Sequence, residues 1–406
     1  MSSVAVAIFL VTYALVSARR IGHLGLDRPA AALLGAVACV AFGVLSPAAA
    51  VDAVDGHTLL LLFGVMGMGA FLVLDDFFAV LETRLSPLAR TPRRLLGVIV
   101  WGAGLLSAFI TNDAVCLLGA PLVVRLIQRN AMPAVPFLLA LATGANTGSV
   151  ATLVGNPQNM LCGQLGGLEY LEYLVIAAPV AIMGLAINHA VLLLVYRGAL
   201  REVRSRERAR PPARLTGRHG VTLGVMIATA VIYTLGGSLA WTAAGGFVFL
   251  MLVHRRDASA VWRHVDWSLL LFFAGLFVVT EGLRRSGATE WLFAALPVHT
   301  SGGVVGTLTT AGVFLVGSNV VSNVPFILIV QDRLMTLDDP AAAWTTLAVV
   351  STFAGNLTLL GSAANVIVAE AGRELGGFGF WQHLRVGLPV ALLTTAMGAL
   401  WLALVL

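Results

Sequence analysis

Long apolar runs separated by short polar or basic segments divide the chain, and their lengths predict helices rather than strands. Runs near 4–18, 28–46 and 57–75 read as three spans, each close to the ~17 residues needed to cross a hydrocarbon core. Leu95–Ile110 and Ala114–Ile127 are two further runs, parted only by Thr111-Asn112-Asp113. Both flanks of this pair are basic, with Arg90, Arg93 and Arg94 before it and Arg125 and Arg129 after it. Basic loops stay on the cytoplasmic side, so the pair enters and leaves on one face as a re-entrant hairpin. A run near 137–163 follows, then one at 171–194. The second half repeats the plan: runs at 220–236, 238–253 and 267–281, a second hairpin near 303–318 and 324–337, a run at 342–368 and a last one at 386–405.

Two of these runs are interrupted. Residues 141–159 and 351–365 are rich in Gly, Asn, Ser and Thr although they sit in apolar surroundings. Backbone that leaves the helical path at membrane depth must be buried in protein or line a wet cavity. The stretch at 151–159 (ATLVGNPQN) aligns with 357–365 (LTLLGSAAN) at Thr, Leu, Gly and Asn. Asp55, Gly64 and Asn112 likewise correspond to Asp266, Gly275 and Asn323, all three at one common and slightly longer offset. Five crossings per half is an odd number, so the second copy is expected to be inverted in the membrane. Paired polar breaks in two such halves point to the binding site of a secondary transporter.

Composition agrees. Only 11% of the 406 residues are charged, 58% are hydrophobic and the mean hydropathy is +0.91, whereas soluble domains carry roughly 25% charged residues. The expected fold is an all-α polytopic membrane protein of two inverted-topology repeats, residues 1–196 and 219–406. Each holds about five spans, one re-entrant hairpin and one broken span. Between them, residues 197–218 hold eight Arg and two Pro and read as a cytoplasmic linker. The net charge of +5 is therefore a matter of orientation in a lipid bilayer, and nucleic acid is not an expected partner. Arg19 and Arg20 follow the first run instead of preceding it, the reverse of a signal peptide, so the N-terminus is expected outside. Cys39, Cys116 and Cys162 have neither metal-site nor redox spacing and read as core residues. No phosphate-binding loop, metal cluster or nucleophile triad appears, and enzymatic function is not expected.

The candidate site gathers at the two hairpin tips and the two broken runs. Thr111, Asn112 and Asp113 form one tip, and Ser318, Ser322 and Asn323 belong to the other, with Pro325 in the first turn of the returning helix. Asn146, Thr147, Gly148, Thr152, Gly155, Asn156 and Asn159 would furnish walls from the first half. Asn356, Thr358, Gly361, Ser362 and Asn365 would do so from the second. Asn and Thr offer hydrogen bonds at tips where two half-helices face each other. Asp113 is the acid of the first hairpin, and an ionisable group inside a span is a functional hypothesis by default. It is expected to carry the coupling proton or to balance a cation, with an N-cap for the following helix as the plainer role. Asp75, Asp76 and Glu281 fall at span ends, where they are expected to reach water.

These motifs resemble the ion transporter superfamily that contains the arsenite permeases, the divalent-anion/sodium symporters and some sodium/proton antiporters. The resemblance covers essentially the whole chain and is most specific at residues 145–159 and 355–365. It implies a scaffold part, a moving transport part, an elevator-like exchange of access, a homodimer, and hairpin tips that bind substrate and coupling ion. The first tip reads Thr-Asn-Asp where the family carries a Ser-Asn-Thr type, and the second continues into Val-Pro. A carboxylate there would repel a dianion. Both the tip and residues 355–365 are more similar to the arsenite permease branch, which implies exchange of a small neutral trihydroxide for protons.

The leading expectation is a secondary transporter performing proton-coupled efflux of the arsenite or antimonite type. Beside it stand a sodium- or proton-coupled carrier of a dicarboxylate-like anion, a sodium/proton antiporter and, from another class, a channel. The substrate partner is a small ion or neutral oxyacid. No cofactor is expected beyond a coupling ion, H+ or Na+.

Overall fold

The computed structural model describes residues 3–17, 27–200, 214–288, 298 and 303–406, with backbone alone for 89 and 90. Arg19, Arg20 and most of the linker, residues 201–213, lie outside the described residues.

The expected elements are present with close boundaries. The first half runs α1 (Ser3–Ser17), α2 (Arg28–Ala41), α3 (Pro47–Asp52), α4 (Gly56–Leu74), α5 (Phe77–Leu85), α6 (Pro92–Ser107), α7 (Asn112–Asn130), α8 (Ala134–Gly148), α9 (Pro157–Gly166) and α10 (Tyr170–Val195). The second runs α11 (Gly217–Thr234), α12 (Leu239–His254), α13 (Ala258–Trp262), α14 (Trp267–Arg285), α15 (Gly303–Val320), α16 (Asn323–Met335), α17 (Pro340–Ala354), α18 (Ala363–Ala371) and α19 (Phe380–Val405). Among the described residues, six helices are long and apolar enough to cross a membrane. The chain is a multi-pass membrane protein. The short helices α3, α5 and α13 were not legible as apolar runs.

The start points of α2, α3, α4, α6 and α7 recur at one constant offset in α12, α13, α14, α15 and α16, the offset that relates Asp55 to Asp266. Those of α8 and α9 recur in α17 and α18 at the shorter offset that relates Asn159 to Asn365. Asp55 and Asp266 cap α4 and α14 in the same way, each carboxylate accepting from the backbone N–H three positions on, at 2.6 and 2.9 Å. The halves exchange partners: α4 packs on α12 and α14 on α2, while α18 lies against α7 and α9 against α16. Small residues make this approach close. A Cβ built on Gly64 would stand 2.5 Å from the Ala243 backbone, and one on Gly275 would stand 2.7 Å from the Ala32 backbone. Ala32 and Ala243 are themselves equivalent positions of the repeat, so the two contacts are copies of one inverted-repeat interface.

The symmetry is broken in one apolar region. Phe63, Phe247, Trp262 and Trp267 form an aromatic cluster, with Phe63 centred 5.2 Å from Phe247, 6.0 Å from Trp262 and 5.8 Å from Trp267. The corresponding residues are Ala274, Ala36, Val51 and Gly56. There a cavity of about 600 Å³ remains, lined by Ala36, Val51, Ala274 and other apolar residues.

Charged residues pin the ends of helices. Glu82 accepts from Arg125 at 2.6 Å and Arg129 at 2.5 Å, tying α5 to α7. Glu281 pairs with Arg284 and Arg285 at its own span end. Asp75 differs from expectation. Its side chain is 2% exposed, paired with Arg256 at 2.6 Å and beside His254 at 3.3 Å. The α11–α12 pair closes over it, with His219 Nε2 2.6 Å from the Asp75 carbonyl.

Candidate substrate and ion site

Each broken run is a helix, a short irregular loop and a second helix entering from the loop. Pro157 and the Asn156 cap start α9, and the Ser362 side chain caps α18. These starts lie beside those of the hairpin return helices α7 and α16, with Asp113, Pro157, Asn323 and Ala363 around one space. Four helix N-termini thus converge from both halves, and each presents N–H groups with no partner inside its own helix.

The loops are held by amide side chains in matching patterns. Asn159 Nδ2 donates to the carbonyls of Ser149 (3.2 Å) and Thr152 (3.0 Å). Its counterpart, Asn365 Nδ2, donates to those of Gly355 (2.8 Å) and Thr358 (3.1 Å). Tyr173 Oη donates to the Val150 carbonyl at 3.0 Å, and His383 Nε2 lies 2.9 Å from the Asn356 carbonyl. Val150 and Asn356 are again equivalent positions of the repeat. These contacts satisfy the backbone groups that a broken helix leaves bare at membrane depth.

A second set crosses between the halves. Asn146 Nδ2 donates to Asn356 Oδ1 (3.1 Å) and Asn365 Oδ1 (3.0 Å), and Asn146 Oδ1 accepts from Asn112 Nδ2 (2.7 Å) and Ser362 Oγ (3.1 Å). Thr352 completes the mirror arrangement, donating to Asn159 Oδ1 at 2.9 Å and accepting from Asn156 Nδ2 at 3.1 Å. Asn356 Nδ2 reaches Thr147 Oγ1 at 3.0 Å. The hairpins dock onto the loops at a shared carbonyl position: the Asn112 N–H meets Gly155 O at 2.9 Å, and Asn323 Nδ2 meets Gly361 O at 3.3 Å.

A cavity of about 200 Å³ lies at this junction. Of the residues singled out from the sequence, Asp113, Ser322, Asn323, Gly361 and Ser362 line it. The others stand behind it. Asn112, Asn146, Thr147, Asn156, Asn159, Asn356 and Asn365 are buried in the network just described. Thr152 donates to the Ala108 carbonyl at 2.8 Å, and Thr358 supplies a carbonyl to Asn365. Gly148 and Gly155 allow close packing; a Cβ on Gly148 would overlap the Gly104 backbone. Ser318 is fully buried with its hydroxyl unpartnered, as is its first-half counterpart, Ser107. The Oδ1 atoms of Asn112 and Asn323 are also buried without a donor.

The tips differ. Thr111 is the N-cap of α7, its hydroxyl accepting from Ala114 N at 3.4 Å. The plainer role considered for Asp113 is therefore corrected: Asp113 follows the cap and keeps its carboxylate for the cavity, where the Ala364 N–H at the start of α18 faces it. In the second half Ser322 occupies the cap position with φ 71° and ψ 150°, and its hydroxyl makes no capping bond. That conformation is nearly confined to glycine.

The cavity also contains residues that sequence reasoning did not assign to it: Arg28 and Pro29 at the start of α2, Gln158, and Asp266 with Ser268 at the start of α14. A second cavity of about 360 Å³ shares Asp113 and Asp266 and adds Thr111, Arg263 and His264. Asp113 stands between the two. The only sequence signal for Arg28 was its position at the edge of a span, which is where orientation alone also places arginines.

The sequence matches the citrate transporter family (CitMHS) over residues 12–354. The chain belongs to that family. Similar proteins include a silicon efflux transporter of Oryza sativa subsp. japonica, 31% identical over 98% of this chain and 96% of its own length. A putative transporter named arsB from Dictyostelium discoideum is 25% identical over 93% of this chain and 87% of its own length. The fold is also that of the Alcanivorax borkumensis YdaH transporter, with a TM-score of 0.54 at 14% identity, covering 98% of this chain and 96% of that one. This CitMHS-family chain is therefore a transporter and not an enzyme. Its motifs fall within the ion transporter superfamily recognised from residues 145–159 and 355–365.

Proposed function

We propose that this chain exports a small neutral inorganic hydroxide, of the arsenite or silicic acid class, in exchange for protons carried by Asp113. The observation that supports this most is the placement of the Asp113 carboxylate among converging helix N-termini in a cavity of about 200 Å³. A neutral polyhydroxide can donate O–H groups to Asp113 and to the Asn323 Oδ1 atom. Its oxygens can accept from the N–H groups at the helix starts. A dianion or trianion would meet the Asp113 and Asp266 carboxylates, with Arg28 the one guanidinium among the described residues that line the same cavity, and like charges in a poorly solvated site are costly. The names of the silicon efflux and arsB relatives favour the same substrate class. The Arg-rich residues 197–218 would face the cytoplasm. The cavity would then open inward, since Arg28, Arg263 and Asp266 lie toward that face.

The test uses everted vesicles made acidic inside. Accumulation of arsenite or silicic acid that saturates and collapses with the proton gradient is the expected result. Accumulation of citrate alone, or uptake that follows a sodium gradient and ignores pH, would overturn the reading.

A further inference from the structure

Arg28 is, among the described residues, the one guanidinium lining the central cavity, and it stands apart from the acids near it. Among the described residues no carboxylate lies within 4.0 Å of it and no hydrogen bond holds its side chain. Arg28 is half-buried, and a guanidinium in such a weakly screened space gains from an opposite charge brought up to it. The position is also distinctive. Arg28 starts α2, which packs on α14, α1 and α3. Asp113 is in the first turn of α7, which packs on α4, α5, α6, α8 and α18. The two charges therefore face each other across the cavity, at the seam between the α1–α2–α14 group and the α6–α7–α8–α18 group, which α4 bridges by packing on both α14 and α7.

We propose that Arg28 and Asp113 form a charge lock across this seam: they pair directly only when the cavity is empty and Asp113 is ionised, and that pair holds the two helix groups together. The lock rests on the proton-carrying role of Asp113 given above and deepens it. With the cavity empty, two opposite charges in a weakly screened space attract each other strongly. Protonating Asp113 removes one charge and releases the pair. A neutral hydroxide inserted between them releases it as well, by donating to the carboxylate and accepting from the guanidinium. The empty, deprotonated carrier is then the single immobile state, and that state must be immobile if proton and substrate are to be exchanged without slip.

The charged and polar groups that face Asp113 come from every element around the cavity. Arg28 stands on α2, Asp266 at the start of α14 and the Ala364 N–H on α18. Arg263 and His264 border the neighbouring cavity, and Cys116 lies one turn further along α7. Asp266 is the other acid that lines the cavity with Arg28, but its carboxylate is engaged in capping α14. Asp113 also takes a backbone N–H, from Ala364, but it is the acid whose charge acts on Arg28.

The lock can be read without reference to substrate. Gln158, on the cavity wall, is replaced by Cys, the native cysteines being buried. Its modification by a membrane-impermeant thiol reagent is followed in substrate-free liposomes from pH 5 to pH 8. In a chain with Arg28, the accessible side should be fixed at high pH and exchange as pH falls. Arg28→Gln should remove that pH dependence, and Arg28→Lys should retain it, which separates loss of charge from loss of fold. In vesicles, Arg28→Gln should pass arsenite downhill but fail to accumulate it, losing at least tenfold in the steady-state gradient. The same pH dependence of accessibility in Arg28→Gln and in the chain with Arg28 would overturn the lock. Absence of arsenite and silicic acid uptake by the native chain would sink the substrate reading alone, and the accessibility measurement would still decide for or against the lock.

Discussion

Asn146 of the first half donates to Asn365 of the second across 3.0 Å, deep inside the protein. The mirror contact is Thr352 donating to Asn159 at 2.9 Å. Each broken run is thus locked by a side chain from the opposite half, and neither half can form its site alone. Asn146 uses both ends of its amide, so it stands at the centre of four hydrogen bonds to Asn112, Asn356, Ser362 and Asn365.

Replacing Asn146 with Ala should therefore cost more than an ordinary core polar deletion. Several buried partners lose their bonds at once, and each unsatisfied group costs about 1–3 kcal/mol. Thermal unfolding in detergent should show a fall in midpoint of several degrees, with transport lost. Asn146→Asp, which loses both donor bonds and sets a buried carboxyl group against the Asn356 and Asn365 oxygens, should be at least as destabilising.

The inverted-repeat interface makes a paired prediction. Gly64→Ala and Gly275→Ala each press a methyl group into the backbone of a facing helix, and overpacking of this kind costs about 1–3 kcal/mol. Both should destabilise by similar amounts, because Ala243 and Ala32 are equivalent. Gly102→Ala, which meets nothing within 4 Å, is the control and should be neutral or slightly stabilising. A large effect at one glycine and none at the other would break the proposed equivalence.

Ser322 offers a test of strain at the second tip. Its backbone conformation favours glycine, so Ser322→Gly should raise stability by ~1 kcal/mol. Ser322 lines the cavity and its hydroxyl has no capping duty, so the same change should weaken substrate affinity in transport assays. Ser322→Val should lower both. Unchanged affinity in Ser322→Gly would remove the hydroxyl from the site.

Much of this was legible in the residues. The apolar runs marked nearly every long helix, and two fixed offsets exposed the repeat, because equivalent packing demands equivalent small and polar residues. What stayed hidden is physical as well. Helices α3, α5 and α13 are too short to show a period. Asp75 reads as interfacial because it ends a span, yet α11 and α12 fold over it, Arg256 pairs with it and His254 lies beside it. Amides at the broken runs advertised a polar region but not its division of labour. Asn159 and Asn365 spend their donors on loop carbonyls, whereas Asp113 and Asn323 line open space. Thr352 lies within the polar stretch 351–365 but was not assigned to the site, since its repeat counterpart is Asn146 and the two share no residue type, and Arg28 was masked by the arginines that orient the chain.

Proton movement driven by substrate tests the role of Asp113 most directly. Protein reconstituted in liposomes with no imposed gradient is given arsenite or silicic acid on one side, and internal pH is followed with a trapped dye. The native chain should move protons against the substrate, in a fixed ratio to the amount transported. Asp113→Asn should still exchange substrate for substrate but should move no protons. Proton movement of equal size in Asp113→Asn, with transport intact, would contradict the assignment of the coupling proton to Asp113.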